Sequence, residues 1–317
     1  WVTLLTSGYN NGSDTGGDGS GYLFVLDTAT GQVLRQLRTG AGTASSPSGL
    51  ARISAFLANP GVDDTVDFVY GGDLQGNVWR FDLSGASSAS WNVSRLATLV
   101  DAGGTPQPVT TAPELGVVNG KRIVYVGTGR YLGATDVPGT PGASAGATQQ
   151  QSFYGLMDDQ SGTPIATPLR GQLVAQSATP APNGEINITS NPVNLATRRG
   201  WVLDFAPSPS GERATTSPVL FGGVLSFTTN TPSSDPCLPG GSSNLYFLNY
   251  STGGAIPMLA SRFVGDVLSS RVQPIGLPSG SARILVRTSE GATRVFDVAV
   301  PPTTPPTRVM WREVIRN

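Results

Sequence analysis

The sequence lacks histidine altogether and contains a single cysteine, Cys237. The missing histidine removes the commonest general base, the commonest metal ligand and every Ser/His or Cys/His nucleophilic pair. One cysteine cannot form a disulfide within the chain or build a thiolate metal site. Cys237 therefore either pairs with another chain or remains a lone thiol in the turn "DPCLPGG", and both possibilities stay open.

Charge and long apolar runs are also scarce. Charged residues make up 13% of the 317 residues and the formal net charge is -1, so no basic field exists to attract nucleic acid. No run of about 18 apolar residues occurs, which predicts no membrane-spanning segment. Because the chain begins at Trp1 without an initiating Met or a signal peptide, we expect a fragment of a longer, exported protein.

Short apolar runs separated by turn residues predict an all-β chain. Glycine (41) and proline (25) together exceed a fifth of the residues, and no window keeps helical apolar spacing for three turns. Runs of four to seven residues rich in β-branched and aromatic side chains are typical of strands. They include "YLFVLD", "NVWRFD", "RIVYVGTG", "SFYGLMD", "WVLDF", "VLSFTT" and "NLYFLN".

These runs recur as hairpins in which an Asp or Asn leaves a strand and a Gly follows in the turn. The recurrence every 50 to 70 residues indicates propeller blades, with about five units centred near 25, 80, 155, 245 and 295. A β-sandwich is the alternative, but it would space its strands more evenly. We predict one propeller domain over residues 1–317. Segments 10–20, 133–151 and 301–307 are predicted loops.

The ordered motifs resemble the C-terminal domain of the PilY family of type IV pilus biogenesis factors and pilus-tip adhesins. The resemblance covers residues 8 to 316 and rests mainly on "VYGGDLQGNVWRFDL" and the terminal "WRE" segment. It implies a modified β-propeller related to the quinoprotein dehydrogenase fold, without that enzyme's chemistry.

The resemblance also implies a function. Such proteins are exported to the periplasm, the outer membrane or the pilus tip, where they work with minor pilins to prime assembly and oppose retraction. They support twitching motility and adhesion to host or abiotic surfaces. The alternatives are a scaffold propeller for outer-membrane protein assembly and a quinoprotein dehydrogenase.

The acidic segment before "FVYGGD" is where the family carries a calcium loop with oxygen ligands on alternate residues. Carried onto this sequence, the resemblance implies Asn59, Asp63 and Asp67 as side-chain ligands and Thr65 as a carbonyl donor. Such a loop supplies the six to eight oxygens that calcium needs.

This sequence departs from the family loop at three positions. Gly61 supplies no side-chain oxygen, and the first ligand is a neutral Asn59 followed by Pro60, so only two family-type carboxylates remain. Asp64 replaces the turn glycine, although Asp64 itself could act as a ligand in another geometry. The expectation is a degenerate site that binds calcium weakly or not at all. The alternative is an acidic turn whose carboxylates are solvated.

A second oxygen-rich loop contains Asn11, Asp14 and Asp18, and isolated Asp residues in such glycine-rich loops are usually ordinary turns. The pairs Asp158–Asp159 and Glu212–Arg213 also carry carboxylates. No partner can be placed opposite them from sequence, so we predict no catalytic residues. Aromatic residues that could contact a binding partner, though blade core is the more ordinary role, are Tyr9, Tyr131, Phe153 and Trp201.

Overall fold

The computed structural model describes residues 1–9, 11–57, 65–182, 184–206, 211–235, 240–256, 260–277 and 281–298. Within these ranges the chain forms five successive β-sheets, centred close to the five predicted blade positions. The all-β propeller prediction is confirmed. None of the helices in the described ranges combines the length and apolar character needed to cross a bilayer.

The first two sheets are antiparallel and follow the chain order. The first contains β1 (Val2–Thr6), β2 (Tyr22–Asp27) and β3 (Val33–Arg38). The second contains β4 (Ile53–Phe56), β5 (Phe68–Gly72), β6 (Asn77–Asp82) and β7 (Asn92–Thr98). Short 3-10 turns occupy Ser13–Thr15 and Ser88–Ser90.

The third sheet has six strands in the order β12-β11-β13-β10-β9-β8. They are β8 (Glu114–Val118), β9 (Lys121–Gly127), β10 (Ser152–Asp158), β11 (Val174–Pro180), β12 (Ile186–Ile188) and β13 (Gly200–Asp204). Strand β11 runs parallel to β13. A single helical turn, α1 (Leu169–Gln172), precedes β11, and 3-10 turns lie at Ala134–Asp136 and Ala145–Ala147.

The last two sheets are again antiparallel. The fourth contains β14 (Val219–Phe221), β15 (Val224–Ser233), β16 (Gly240–Asn249) and β17 (Ser261–Gly265). The fifth contains β18 (Gln273–Gly276), β19 (Ala282–Arg287) and β20 (Thr293–Val298). The predicted loop at 301–307 lies outside the described residues.

Each sheet packs face to face on the next, as propeller blades do. Strand β3 contacts β7, β4 contacts β8, β8 contacts β14, and β14 contacts β18. Four apolar clusters fill the four interfaces between consecutive blades. The core is thus divided between neighbours, and a single blade could not bury its own apolar surface.

This packing explains why several strands contain unbroken apolar runs. In β16, Leu245 and Phe247 join the cluster shared with the fifth blade, whereas Tyr246 and Leu248 join the cluster shared with the third. Successive side chains of a strand point to opposite faces. A blade covered on both faces therefore needs continuous apolar runs rather than alternation.

The recurring Asp or Asn at the end of a strand shapes the following turn. The Asp27 carboxylate accepts hydrogen bonds from the backbone of Ala29 and Thr30, at 3.0 and 2.8 Å. Gly31 follows with a positive φ of 72°. Asn249 and Gly253 repeat the arrangement after β16. Because these side chains accept hydrogen bonds from local backbone N–H groups, the repeated motif stabilises the turn.

The motif "GGDLQGNVW" owes its composition to a buried carboxylate. Asp73, which is fully buried, accepts from the Asn77 side-chain amide and the Trp79 indole N–H, each at 2.9 Å. The backbone N–H groups of Gln75 and Asn77 also donate to it at 2.9 Å. Burial raises the pKa of Asp73 against the opposing effect of these donors. The motif therefore stabilises the second blade.

Candidate functional site: a cleft between the third and fourth blades

The predicted calcium loop is only partly covered by the structure. Asn59 and Asp63, together with Asp64, lie outside the described residues, whereas Thr65 and Asp67 lie within them. The backbone of Asp67 is held on both sides, because its N–H donates to Phe56 O at 3.2 Å and its carbonyl accepts from Leu83 N–H at 2.8 Å. Asp67 thus sits just before β5, and calcium binding stays a prediction.

The second oxygen-rich loop uses its central carboxylate for internal contacts. Asp18 accepts from the Tyr22 hydroxyl at 2.7 Å and forms an ion pair with Arg38 at 2.9 Å. The hydrogen bond from Tyr22 is the main cause that lowers the pKa of Asp18. Asp14 is exposed, and the Asn11 amide donates to the Ser20 carbonyl. The Asp18 carboxylate is therefore already paired with the positive charge of Arg38.

Asp158 belongs to a buried polar cluster that joins the second and third blades. Its side chain is 1% exposed and pairs with Arg80 at 2.9 Å. The Tyr70 hydroxyl donates to Asp158 at 2.6 Å, and Arg122 donates to that hydroxyl at 2.9 Å. The Gln160 N–H of the following turn also donates to Asp158, at 2.8 Å. The other polar contacts of this carboxylate are made at the interface between the two blades, so its role is structural. The neighbouring Asp159 pairs with Arg199 at 2.5 Å on the surface.

The adjacent residues Glu212 and Arg213 have different roles. Arg213 is buried and donates to four backbone carbonyls, of Gly211, Arg130, Asp136 and Ala147. It thereby ties the 133–151 loop to the third and fourth blades. Glu212 faces the other way, into a cavity.

Glu212 has an unusual hydrogen-bond pattern. The Thr229 hydroxyl, the Asn244 amide and the Tyr246 hydroxyl donate at 2.5, 3.2 and 2.8 Å, and all three donate to Oε1. The residue is 3% exposed, and burial is the main cause that raises its pKa, opposed by these donors. The three donors favour the ionised form, but they do not outweigh burial, so the net direction is a raised pKa. No cationic side chain in the described residues pairs with it.

The cavity in front of Glu212 has a volume of about 690 Å³. The turn between β11 and β12 forms one wall, and the long β15–β16 hairpin with β17 forms the other. Four of its lining residues are acidic: Glu185, Glu212, Asp235 and Asp266. No lysine or arginine is among the described residues that line it. Arg262, behind the wall, pairs with Glu185.

The lining is amphipathic. Ile186, Ala206 and Pro232 are buried apolar residues of the cavity, and Phe263 on β17 contributes a ring that is 45% exposed. Aliphatic and aromatic surface beside carboxylates is suited to a cation carried on an apolar stem. Sequence reasoning missed this site, because Glu185, Glu212 and Asp266 are far apart in the chain.

The four aromatic residues considered as contact residues divide into two pairs. Phe153 and Trp201 are buried core residues at 0% and 1% exposure. Tyr9 is half-buried and donates its hydroxyl to Thr110 O at 2.8 Å. Tyr131 is 39% exposed, so a surface contact remains open to it.

Comparison with known proteins identifies the family of the chain. The family model described as the PilY1 beta-propeller domain matches residues 1–180. A type IV pilus biogenesis factor PilY1 homolog of Xylella fastidiosa is 31% identical over 278 residues, covering 80% of this chain and 18% of the relative. The type IV pilus biogenesis factor PilY1 of Pseudomonas aeruginosa is 30% identical over 299 residues, covering 80% and 24%.

A solved structure supports the fold. The crystal structure of the Pseudomonas aeruginosa PilY1 C-terminal domain superposes with a TM-score of 0.71 at 23% identity, over 94% of this chain and 69% of that one. This chain spans about a fifth to a quarter of the length of the two curated relatives.

Proposed function

The chain belongs to the PilY1 β-propeller family, and from that premise we propose that it is part of a type IV pilus biogenesis factor. The observation that carries the proposal is the match of the family model to residues 1–180. Two relatives of the chain that are type IV pilus biogenesis factors support it. Since the chain spans only part of those relatives, the activity of a whole pilus factor is itself proposed here. We also propose that residues 1–317 form one propeller domain.

We further propose which proteins the domain works with and where it is located. The domain is exported and acts in the periplasm, at the outer membrane or at the pilus tip. There it works with minor pilins to promote assembly and oppose retraction, and it supports twitching motility and adhesion to host or abiotic surfaces. A stack of blades that share their cores supports this role, because rigid blades can hold exposed loops in fixed positions for recognition.

We propose that the domain acts without catalysis. The whole sequence has no histidine. Two of its buried carboxylates, Asp73 and Asp158, are engaged by donors within or between blades. Groups held in this way stabilise the fold and are not available for proton transfer.

The test is deletion of the domain from its native gene, followed by complementation. We expect the deletion strain to lose surface pili and twitching zones, and the wild-type domain to restore both. Minor pilins should co-purify with the tagged wild-type protein. Normal piliation in the deletion strain, or general defects in outer-membrane proteins with intact pili, would contradict the proposal.

We also propose a calcium ion at the 59–67 loop, held by Asn59, Asp63, Asp67 and the carbonyl of Thr65. Oxygen donors of this kind suit a hard cation. At a calcium concentration ten times the Kd, the folded state gains about 1.4 kcal/mol. For a chain of 317 residues this raises the Tm by about 2 °C.

The measurement compares thermal unfolding in millimolar calcium and in chelator. We expect the rise in Tm to vanish in Asp67→Ala and to persist in Asp297→Asn, a surface carboxylate of the fifth blade. Equal Tm values for the wild-type protein in calcium and in chelator would contradict the proposed calcium site.

A further inference from the structure

We propose that the segment 308–315, "RVMWREVI", docks on the edge of β20 and forms the fourth strand of the fifth blade. The segment lies outside the described residues, whereas the edge that receives it belongs to β20 (Thr293–Val298) and is described. The inference rests on the plan of the blades and stands separately from the proposed pilus role.

The four-stranded blades show the plan that the fifth blade follows. The second and fourth sheets each contain four strands in chain order. The fourth strand pairs antiparallel with the third, as β7 does with β6 and β17 does with β16. The fifth sheet contains three described strands, β18, β19 and β20. Within the described residues it is therefore one strand short of this plan.

The contacts between blades show which position is open. Strand β4 contacts β8, β8 contacts β14, and β14 contacts β18, so β18 takes the first position in its blade. Strands β19 and β20 are then the second and the third. Among the described strands β20 pairs with β19 alone. Its other edge is thus the position that β7 and β17 occupy in their own blades.

The edge of β20 is suited to receive a strand. An edge strand presents backbone N–H and C=O groups that a neighbouring strand can pair. Val295 on β20 is 55% exposed, although the adjacent Phe296 packs against the apolar cluster shared with the fourth blade. A strand laid beside β20 would cover Val295 with a cross-strand neighbour.

The segment 308–315 has the composition of a strand. β-Branched and aromatic residues favour strands, and five of its eight residues are apolar: Val309, Met310, Trp311, Val314 and Ile315. Proline cannot donate to a strand ladder, and the segment contains none. It can therefore pair along its whole length.

The residues between β20 and the segment match the connection in the second blade. Residues 299–307 are as many as residues 83–91, which join β6 to β7. They contain four prolines, which suits a connection outside the ladder. The sequence before the connection is also repeated, because "RVFDV" around Asp297 resembles "WRFDL" around Asp82. The chain therefore has the length and the turn signal for a hairpin at this place.

A second copy of the chain is the rival occupant of the same edge. A segment tethered by a short connection is held near β20 at an effective concentration of about millimolar. A second copy at micromolar concentration competes poorly with it. The tether therefore favours the segment of the same chain.

The first test is hydrogen exchange of the intact chain, followed by mass spectrometry. We expect the amides of residues 308–315 to exchange about tenfold or more slowly than those of an unstructured chain, because paired strands exchange only through local unfolding. Strand β7, which takes the same position in the second blade, is the internal reference. Exchange of 308–315 at the rate of an unstructured chain would overturn the inference.

The second test locates the partner strand by disulfide cross-linking. Every variant carries Cys237→Ser, so the two introduced cysteines are the only thiols. Val295→Cys is combined in turn with a cysteine at each position from 309 to 315. Residues directly opposite each other bring their Cβ atoms to about 4.5–5.5 Å, close to the separation in a disulfide.

The expected pattern is that of an antiparallel pair. We expect one position in the segment to cross-link best with Val295→Cys. With Thr293→Cys instead, the best position should move two residues toward higher numbers. Leu5→Cys on β1 is the matched control, because Leu5 is also 55% exposed and β1 also pairs with a single described strand. We expect no cross-link between Leu5→Cys and the segment.

Four results of the cross-linking would overturn the inference. Val295→Cys might form no disulfide at any of these positions, or the best position might move toward lower numbers with Thr293→Cys. A cross-link to Leu5→Cys in place of Val295→Cys would assign the segment to the first blade. Disulfides that join two chains, seen as dimers on a non-reducing gel, would assign the edge of β20 to a second copy.

Discussion

Replacing Asp158 by asparagine is expected to weaken the contact between the second and third blades. The carboxylate is 1% exposed and lies 2.9 Å from Arg80 and 4.0 Å from Arg122. Both guanidinium groups are 6% exposed. Asparagine keeps the size of the side chain and removes its charge, so the variant would leave two buried cations without a counter-charge.

The magnitude follows from the loss of one partner of a buried ion pair, which costs about 3–5 kcal/mol. The Arg122 guanidinium also lies over the rings of Phe56 and Phe68, 4.0 and 4.2 Å from their centroids. These cation–π contacts remain in the variant and moderate the loss. With an unfolding entropy of about 2 cal/mol/K per residue over 317 residues, the Tm should fall by about 5–8 °C.

The assay is urea unfolding followed by tryptophan fluorescence, with thermal unfolding by circular dichroism as a second measure. Asp297→Asn is the matched control. Asp297 pairs with Arg283 at the same distance of 2.9 Å, but the two side chains are 81% and 52% exposed. Exposed pairs contribute about 1 kcal/mol or less.

A loss of stability in Asp158→Asn no larger than that in Asp297→Asn would contradict this prediction. The buried cluster would then be neutral to stability, and the packing of the four apolar clusters alone would hold the blades together. A loss in the expected range, with the urea m-value unchanged, would support the assignment of Asp158 to the blade interface.

Three further predictions concern stability. Burial raises the folded pKa of Glu212 above its ordinary value of 4.5. Its contribution to stability is therefore present below pH 4.5 and is lost as pH rises through the folded value, so the Tm of the wild-type protein relative to Glu212→Gln should fall as pH rises above 4.5. A Tm difference that stays constant as pH rises would contradict this. Gly31→Ala should cost about 1 kcal/mol, from its positive φ alone. Gly253→Ala should cost about 1–3 kcal/mol more, because an added Cβ would lie 2.2 Å from the Trp201 ring; equal losses in urea unfolding would count against the clash. Asp73→Ala should cost about 3 kcal/mol or more by leaving buried donors without an acceptor, and a loss below 1 kcal/mol in the same assay would show that those donors find other partners.

Much of the fold could be predicted from local sequence. The run 245–248 of β16 is buried on both faces, so each of its side chains must be apolar or aromatic, and a short run of this kind can be recognised without knowing its neighbours. The turn after each such strand needs an acceptor for its backbone donors and a residue with positive φ. The segment from Asn249 to Gly253 supplies both, with Asn249 as the acceptor and Gly253 as the residue with positive φ.

The strand pairing of the third blade could not be predicted from the local sequence pattern. Its run "WVLDF" predicts a strand, but the parallel pairing of β11 with β13 brings residues 174–177 beside 201–204. A parallel pairing needs a long connection, and its register depends on how that connection packs. No local signal of hydrophobic spacing carries this information.

The class of the molecule follows from the sequence alone, because strands, turns, the number of repeating units and the absence of histidine chemistry are properties of short segments or of composition. The packing of the sheets was needed to place Glu212 at a cavity while Arg213 donates to backbone carbonyls elsewhere. It also brought Glu185 and Asp266, 81 residues apart in number, to the walls of the same cavity. The physical reason is that strand formation depends on nearest neighbours along the chain, whereas the meeting of charged side chains depends on how one sheet packs against the next.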